Sequence, residues 1–337
     1  MQTNLRPLAL GEILDRTAQL YRERFWLFAG IFSVYAGVAL ALNLLLLGLQ
    51  TSLKAPRMAA SAIWIAMAAG AVEVLILLLL YGAAVAAISR AVAWVHLGKP
   101  ATIRSAYASI LPRLGRYLWL MTIVALIVLT PVAALYGGYF GIMAYYVKGF
   151  ATDPAAQQAA LSNPRTMAIF GVASLIFVLL MIPAGVYTIL MGLRYALAMP
   201  AAVVEDLKAR PALRRGIELS KGARGRIFLL ALLIVAIRTG LVMISQAFVF
   251  VAAFKHPGQP LGPGITALSQ IVAFFTNTFL GPILATGLTL LYYDQRVRKE
   301  GYDIEWMMQA AGLTPPALQS LSETAEPAAD DAAGKPA

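Results

Sequence analysis

Six long apolar runs alternate with short polar or amphipathic segments along the chain. At a helical rise of about 1.5 Å per residue, each run is long enough to cross a hydrocarbon core of about 30 Å. We therefore predict six transmembrane helices, at about residues 26–49, 62–89, 118–146, 167–193, 227–254 and 265–292. Prolines inside three of these runs predict kinks, with a gating hinge as the alternative role: Pro131, Pro183 and Pro282.

A basic amphipathic segment precedes each odd-numbered run. In residues 8–24, apolar positions recur at helical spacing and charged residues occupy the other side. The second segment, residues 102–117, has Thr102 as a candidate N-cap, and the third covers residues 210–226. Each segment ends in a cation followed by bulky apolar residues, so we predict three units, each a surface helix plus a transmembrane hairpin. The alternative is that any polar loop entering a membrane shows this pattern.

The composition agrees with a membrane protein. Hydrophobic residues make up 60% of the 337 residues, charged residues only 13%, and the mean hydropathy is +0.74. A soluble domain of this size needs more charge to cover its surface. The predicted fold class is therefore an all-α polytopic membrane protein, with residues 1–311 as one integral membrane domain. Residues 312–337 are rich in Ala and Pro, which predicts a disordered cytoplasmic tail.

The positive charges are unevenly distributed between the two predicted sides. Of the 27 Lys and Arg residues, 21 fall on the side of the termini, 5 fall on the opposite side, and Arg238 lies within a run. By the positive-inside rule, this bias predicts that both termini are cytoplasmic. Because the cations lie between apolar runs, we attribute the net charge of +11 to topology and expect no nucleic-acid partner.

The densest basic stretch leads into the fifth run. A cation near an anionic leaflet contributes about 1 kcal/mol to membrane binding, so we predict that this stretch contacts anionic lipid headgroups on the cytoplasmic face. A purely topological role is the alternative. The predicted lipid-facing basic cluster consists of Arg210, Arg214, Arg215, Lys221, Arg224 and Arg226.

Two ionisable residues lie inside predicted spans, Glu73 in the second and Arg238 in the fifth. A charge near the bilayer centre costs about 2.5–3.5 kcal/mol, so each should face the bundle interior and find a partner. Their depths differ by about 7–8 Å, which an Arg side chain can largely bridge. We predict an intramembrane charge pair; the alternatives are a proton or substrate path, or snorkelling without a partner. Interhelical hydrogen bonds are expected for the uncharged polar residues within the runs, Asn43, Gln246, Gln270 and Asn277.

No catalytic constellation is visible in the sequence. The chain has no cysteine, which excludes disulfides and thiolate zinc sites. His96 and His256 are predicted on opposite sides of the membrane, so they cannot form one metal site. Serine-hydrolase elbows and phosphate-binding glycine loops are absent. We therefore expect a protein that is not an enzyme and that carries no metal and no cofactor.

Three blocks resemble a known family of bacterial integral membrane proteins. They are RPLALGEILDRTAQLYRERFWLF from Arg6, MPAAVVEDLKARPALRRGIELSKGARGRIF from Met199 and LLYYDQRVRKEGYDIEWM from Leu290. The chain resembles the glycerophosphoryl diester phosphodiesterase membrane-domain family, which implies the bacterial inner membrane. In some members the module resembles a partner fused to a catalytic barrel. We expect no such barrel here, because it needs about 250 residues and only a short tail follows the sixth run.

The sequence thus predicts a non-catalytic inner-membrane module that binds lipid or scaffolds partner proteins. The basic segments and the resemblance support this interpretation. The alternative is a small transporter or channel-like protein that uses Glu73 and Arg238. The sequence does not identify any protein partner.

Overall fold

The computed structural model describes residues 8–52, 60–146, 162–255 and 262–301, and these residues are mainly helical. A short 3-10 turn, Leu111–Arg113, links the fourth and fifth helices. The helices are α1 (Leu10–Glu23), α2 (Phe25–Ser52), α3 (Ala60–His96), α4 (Ile103–Ile110), α5 (Leu114–Tyr146), α6 (Pro164–Tyr195), α7 (Ala198–Val204), α8 (Ala209–Ser220), α9 (Arg224–Ser245), α10 (Ala247–Lys255) and α11 (Pro263–Glu300).

Six helical segments are long and apolar enough to cross a membrane. They contain α2, α3, α5, α6, α9 and α11, in the order predicted from the apolar runs. The prediction of an all-α polytopic membrane protein with six spans is therefore confirmed. The predicted tail, residues 312–337, lies outside the described residues, as does the loop that contains His256.

The fifth apolar run is divided where one helix was predicted. α9 ends at Ser245 and α10 begins at Ala247, while Gln246 has φ −100° and ψ 7°. At this break, the Gln246 side chain bonds to the neighbouring helix α11. Ser269 Oγ donates to Gln246 Oε1 at 3.0 Å, and Gln246 Nε2 donates to the Ser269 carbonyl at 3.3 Å.

The last helix extends beyond its apolar run. The run predicts an end near residue 292, but α11 continues to Glu300 and stops at Gly301, which has φ 63°. Ion pairs at i, i+4 spacing support this polar extension, with Arg296 Nε 3.0 Å from Glu300 Oε2 and Arg298 Nε 3.0 Å from Asp294 Oδ2. A left-handed glycine after the last turn is a common helix C-terminus.

Each odd-numbered span is preceded by a short surface helix, as predicted. Thr102 caps α4, since its Oγ1 accepts from the Ser105 amide at 3.1 Å. α4 is shorter than the predicted segment, because the 3-10 turn ends it before α5 begins. In the third unit, α8 packs closely on α7: a Cβ at Gly216 would lie 2.8 Å from the Ala198 backbone. Glycine therefore permits this approach.

The buried core lies towards one end of the bundle. Among the described residues, α2 buries side chains only between Phe28 and Ala36, and α9 only between Ile227 and Ile234. On α11, burial begins at Thr278 and continues to Val297. We call this part of the molecule, with α1, α4, α7 and α8, the charged end.

The rest of the six long helices forms the open half. Its apolar side chains are widely exposed; α6, for example, has one buried residue, Ala184, among its 32 residues. Hydrogen bonds between described residues join α5 to α6: Thr188 Oγ1 donates to the Val128 carbonyl at 3.1 Å, and the Tyr139 and Ser174 hydroxyls are 3.1 Å apart. Exposed apolar surface of this kind suits a lipid environment.

Candidate functional site

Asp294 on α11 holds the first described residues of the chain. Its carboxylate is fully buried and accepts from Arg226 Nη1 at 2.7 Å, Arg298 Nε at 3.0 Å and the Leu8 amide at 2.8 Å. The same two arginines donate to the Leu8 carbonyl, at 2.7 Å and 2.6 Å. We call this set the Leu8 clamp. It joins the segment before α1 to α9 and α11 through the backbone N–H and C=O of a single residue, Leu8.

The first surface helix is also fixed by Tyr21. The Tyr21 hydroxyl donates to the Phe279 carbonyl on α11, and burial raises the pKa of Tyr21 to about 12. Ile13 and Leu20 place the apolar face of α1 in the core. The amphipathic pattern of residues 8–24 therefore packs against the bundle as well as facing the surface.

Glu205, just after α7, is the centre of a second network at the charged end. It accepts from Arg215 Nε at 2.9 and 3.0 Å and from the Tyr292 hydroxyl at 2.6 Å. Arg215 also reaches Glu300, with Nη1 2.6 Å from Oε1. Burial alone would lower the pKa of Arg215, but hydrogen bonds and attraction from Glu300 and Glu205 raise it above its ordinary value. This arginine therefore ties α8 to α11.

Lys299 closes the end of α8. Its ammonium group donates to the carbonyls of Glu218 at 2.6 Å, Leu219 at 3.2 Å and Lys221 at 2.7 Å. The last carbonyls of a helix lack partners within the helix and carry partial negative charge. A cation from α11 thus satisfies the C-terminus of α8 and fixes its position on the bundle.

Asp206 links the segment before α8 to α5. It is the one residue other than glycine with positive φ in the described chain, at 55°, a conformation that aspartate tolerates better than most residues. Arg113 Nη1 lies 2.8 Å and Arg116 Nη1 3.8 Å from Asp206 Oδ1. All three side chains are more than 40% exposed, so these pairs contribute little to stability.

The six residues of the predicted basic cluster therefore divide into two groups. Arg215 and Arg226 bind carboxylates inside the protein and serve the fold. The other four are exposed, and none forms an ion pair with a described residue: Arg210, Arg214, Lys221 and Arg224.

A surface groove of about 530 Å³ lies beside two of the exposed arginines. Arg210 and Arg214 are one helical turn apart on the exposed side of α8, while Ala212 and Gly216 face the core. The rest of the lining includes the Arg215–Glu205 pair. We call this feature the basic groove; it is lined by Glu205, Leu207, Arg210, Pro211, Arg214, Arg215 and Glu218.

The structure does not pair Arg238 with Glu73. Arg238 is half-buried on α9, and its Nη2 donates to Asn277 Oδ1 on α11 at 2.9 Å. α9 packs along α11, so the amide of that neighbouring helix takes the place predicted for the carboxylate. Glu73 is half-buried on α3, between the exposed Val72 and Val74, and has no ion pair or hydrogen bond with a described residue. The charge pair is corrected to an Arg238–Asn277 hydrogen bond.

The predicted interhelical hydrogen bonds are confirmed for Asn277 and Gln246. Asn43 differs, because its Nδ2 donates to the Ala39 carbonyl of its own helix at 2.8 Å.

Sequence reasoning missed Asp294, because this residue begins the charged stretch that follows the sixth apolar run. A buried carboxylate needs several hydrogen-bond donors, and the neighbouring arginines could supply them. The sequence does not show that Asp294 is buried, so it did not point to this network.

Comparisons of the chain with protein-family models, curated proteins and solved structures found no match. The resemblance to the glycerophosphoryl diester phosphodiesterase membrane-domain family stays a prediction.

Proposed function

We propose that the protein is a non-catalytic module of the bacterial inner membrane that binds anionic lipid headgroups in the basic groove. In this proposal, the charged end and both termini face the cytoplasm. The observation that carries it is that Arg210 and Arg214 are exposed, form no ion pair with a described residue and lie beside a groove of about 530 Å³. Arginine pairs suit phosphate because the planar guanidinium donates two parallel hydrogen bonds.

The arginines that line the basic groove differ in whether they can bind a ligand. The N–H groups of Arg215 already donate to Glu205 and Glu300, so Arg215 is not available to a ligand. Arg210 and Arg214 keep theirs, and the helix that carries them is held on the bundle by Lys299. A fixed helix presents the two cations without ordering a loop on binding, which favours affinity.

The test is lipid binding by the double variant Arg210→Gln, Arg214→Gln. In purified, delipidated protein, phosphatidylglycerol should raise the thermal unfolding temperature more than phosphatidylcholine does. The double variant should lose most of that difference, since two cations contribute about 2 kcal/mol, or roughly a thirtyfold change in affinity. Added salt should weaken the wild-type effect in the same way.

The matched control is Arg165→Gln, Lys255→Gln, which removes two exposed cations from the opposite side of the predicted membrane. It should keep the full phosphatidylglycerol effect. Equal responses from the two double variants would show that net charge, and not the basic groove, determines lipid binding.

Orientation has a separate test, because the natural chain has no cysteine. Single cysteines at Lys99 and Lys255 place one thiol on each predicted side. A membrane-impermeant maleimide added to intact cells should label Lys255→Cys and not Lys99→Cys, and cell lysis should expose both. The reverse pattern would contradict a cytoplasmic charged end.

A further inference from the structure

Four membrane-spanning helices bring polar side chains together around Arg238. Asn277 on α11 accepts from Arg238 Nη2 at 2.9 Å. One turn further along α11, a Cβ at Gly281 would lie 2.3 Å from Phe32 Cδ1, and the Phe32 ring contacts both Tyr35 on α2 and Tyr81 on α3, with centroids 6.0 and 5.9 Å apart. The two tyrosine rings touch, with centroids 5.7 Å apart and planes at 71°. We call Arg238, Asn277, Tyr35 and Tyr81 the Arg238 cluster.

The cluster contains donors and a positive charge without a matching anion. Arg238 has no ion pair with any carboxylate that the structure describes, and neither tyrosine hydroxyl hydrogen-bonds to a described residue. Guanidinium N–H groups and tyrosine hydroxyls all donate hydrogen bonds. Inside a membrane, where water is scarce, an unpaired cation and free donors are both unfavourable. The chemistry of the cluster therefore calls for an anionic acceptor from outside the chain.

The position of the cluster makes such a ligand accessible. On α9, the last buried residue is Ile234, one turn before Arg238. On α11, burial begins at Thr278, directly after Asn277. The cluster thus lies at the boundary between the packed core and the open half. Thr278 Oγ1 is buried there without a hydrogen-bond partner among the described residues, which adds a further unused polar group.

We propose that the Arg238 cluster is a binding site for an oxyanion, a phosphate or carboxylate group, held by the Arg238 guanidinium and the hydroxyls of Tyr35 and Tyr81. The group comes either from a phospholipid headgroup or from a soluble anion. This site is separate from the basic groove and does not depend on it. Arg238 supplies the charge, Asn277 orients the guanidinium, and the tyrosines make the site specific for an acceptor.

The decisive variant is Tyr35→Phe, Tyr81→Phe. It keeps both rings and their contact and removes only two hydroxyls that have no partner in the described chain, so folding should be unaffected. The control is Tyr136→Phe, Tyr187→Phe, which removes the hydroxyls of two exposed tyrosines on α5 and α6, outside the Arg238 cluster. Both are made in the Arg210→Gln, Arg214→Gln background, so that the basic groove does not contribute.

The measurement is the thermal shift of delipidated protein titrated with phosphatidylglycerol in one arm and inorganic phosphate in the other. We expect a saturable shift in at least one arm, and the arm that responds identifies the source. The Tyr35→Phe, Tyr81→Phe variant should bind roughly tenfold more weakly or worse, and the control should bind as its background does. Arg238→Gln should abolish the shift.

Two results would overturn the proposal. One is the absence of a saturable shift in both arms. The other is an equal response of the two tyrosine variants, which would show that the hydroxyls do not contact the ligand.

Discussion

The charged end and the open half are made of the same six helices but are held together differently. At the charged end, buried carboxylates, arginines and backbone groups connect α1, α8, α9 and α11, and apolar side chains fill the space between them. In the open half, the helices expose Leu, Ile, Val and Phe, and few polar contacts cross between them. Lipid can replace helix contacts on apolar surface but cannot replace the partners of a buried charge. Stability should therefore depend mainly on the charged end.

Asp294→Asn is expected to have the largest effect. It removes the charge that Arg226 and Arg298 share, and breaking a buried ion pair leaves uncompensated charge. We expect the free energy of unfolding in detergent to fall by about 3 kcal/mol. The same acid-to-amide change in the open half, Glu73→Gln, breaks no contact with a described residue and should change stability by less than about 0.5 kcal/mol. Equal losses would refute the contrast between the two regions.

A glycine pair tests packing without charge. At Gly281 a Cβ would lie 2.3 Å from Phe32 Cδ1, so Gly281→Ala forces either the buried Phe32 ring or the helices to shift. Overpacking of this kind costs about 1–3 kcal/mol. At Gly171 on α6 a Cβ meets nothing within 4 Å, so Gly171→Ala should leave stability unchanged or raise it slightly, since alanine favours helix. Thermal unfolding of the two variants measures the difference, and a destabilised Gly171→Ala protein would show that the open half is packed more tightly than the structure indicates.

Among the changes that break a contact, the smallest effect is expected for the hydrogen bonds between Gln246 and Ser269 in the open half. Interhelical hydrogen bonds in membranes average about 0.6 kcal/mol, so Gln246→Ala should reduce stability by about that amount. Ser269→Ala removes only the bond from the Ser269 hydroxyl and keeps the backbone acceptor, so it should cost less, and the double variant should cost no more than Gln246→Ala alone. A loss comparable with that of Asp294→Asn would mean that the break between α9 and α10 is a major structural joint.

The helices could be predicted from the sequence because their signals are local. An apolar run of sufficient length specifies a span wherever it lies, and Thr102 followed by Ser105 specifies a cap within one turn. The break at Gln246 lies inside a continuous apolar run, so the run alone did not reveal it.

The pairing of charges could not be predicted in the same way. Many arginines at the charged end have suitable length and position, and the choice of Arg215 for Glu205 and of Arg226 for Asp294 depends on how the helices pack. For Arg238, the prediction of Glu73 as partner rested on depth along the helix axis alone. Depth does not give the direction of a side chain around the axis, and that direction selected Asn277.

The Leu8 clamp has a consequence for the order in which the protein is assembled. The Leu8 amide and its acceptor Asp294 are 286 residues apart in the chain. At a synthesis rate of about 5–20 residues per second, the ribosome needs roughly 15–60 s to pass from one to the other. The contact between Leu8 and Asp294 therefore cannot form until α11 has been synthesised, after the first five spans. Closure of the clamp therefore requires that α11 has been made, and a truncated product that lacks α11 also lacks the Asp294 and Arg298 contacts to Leu8.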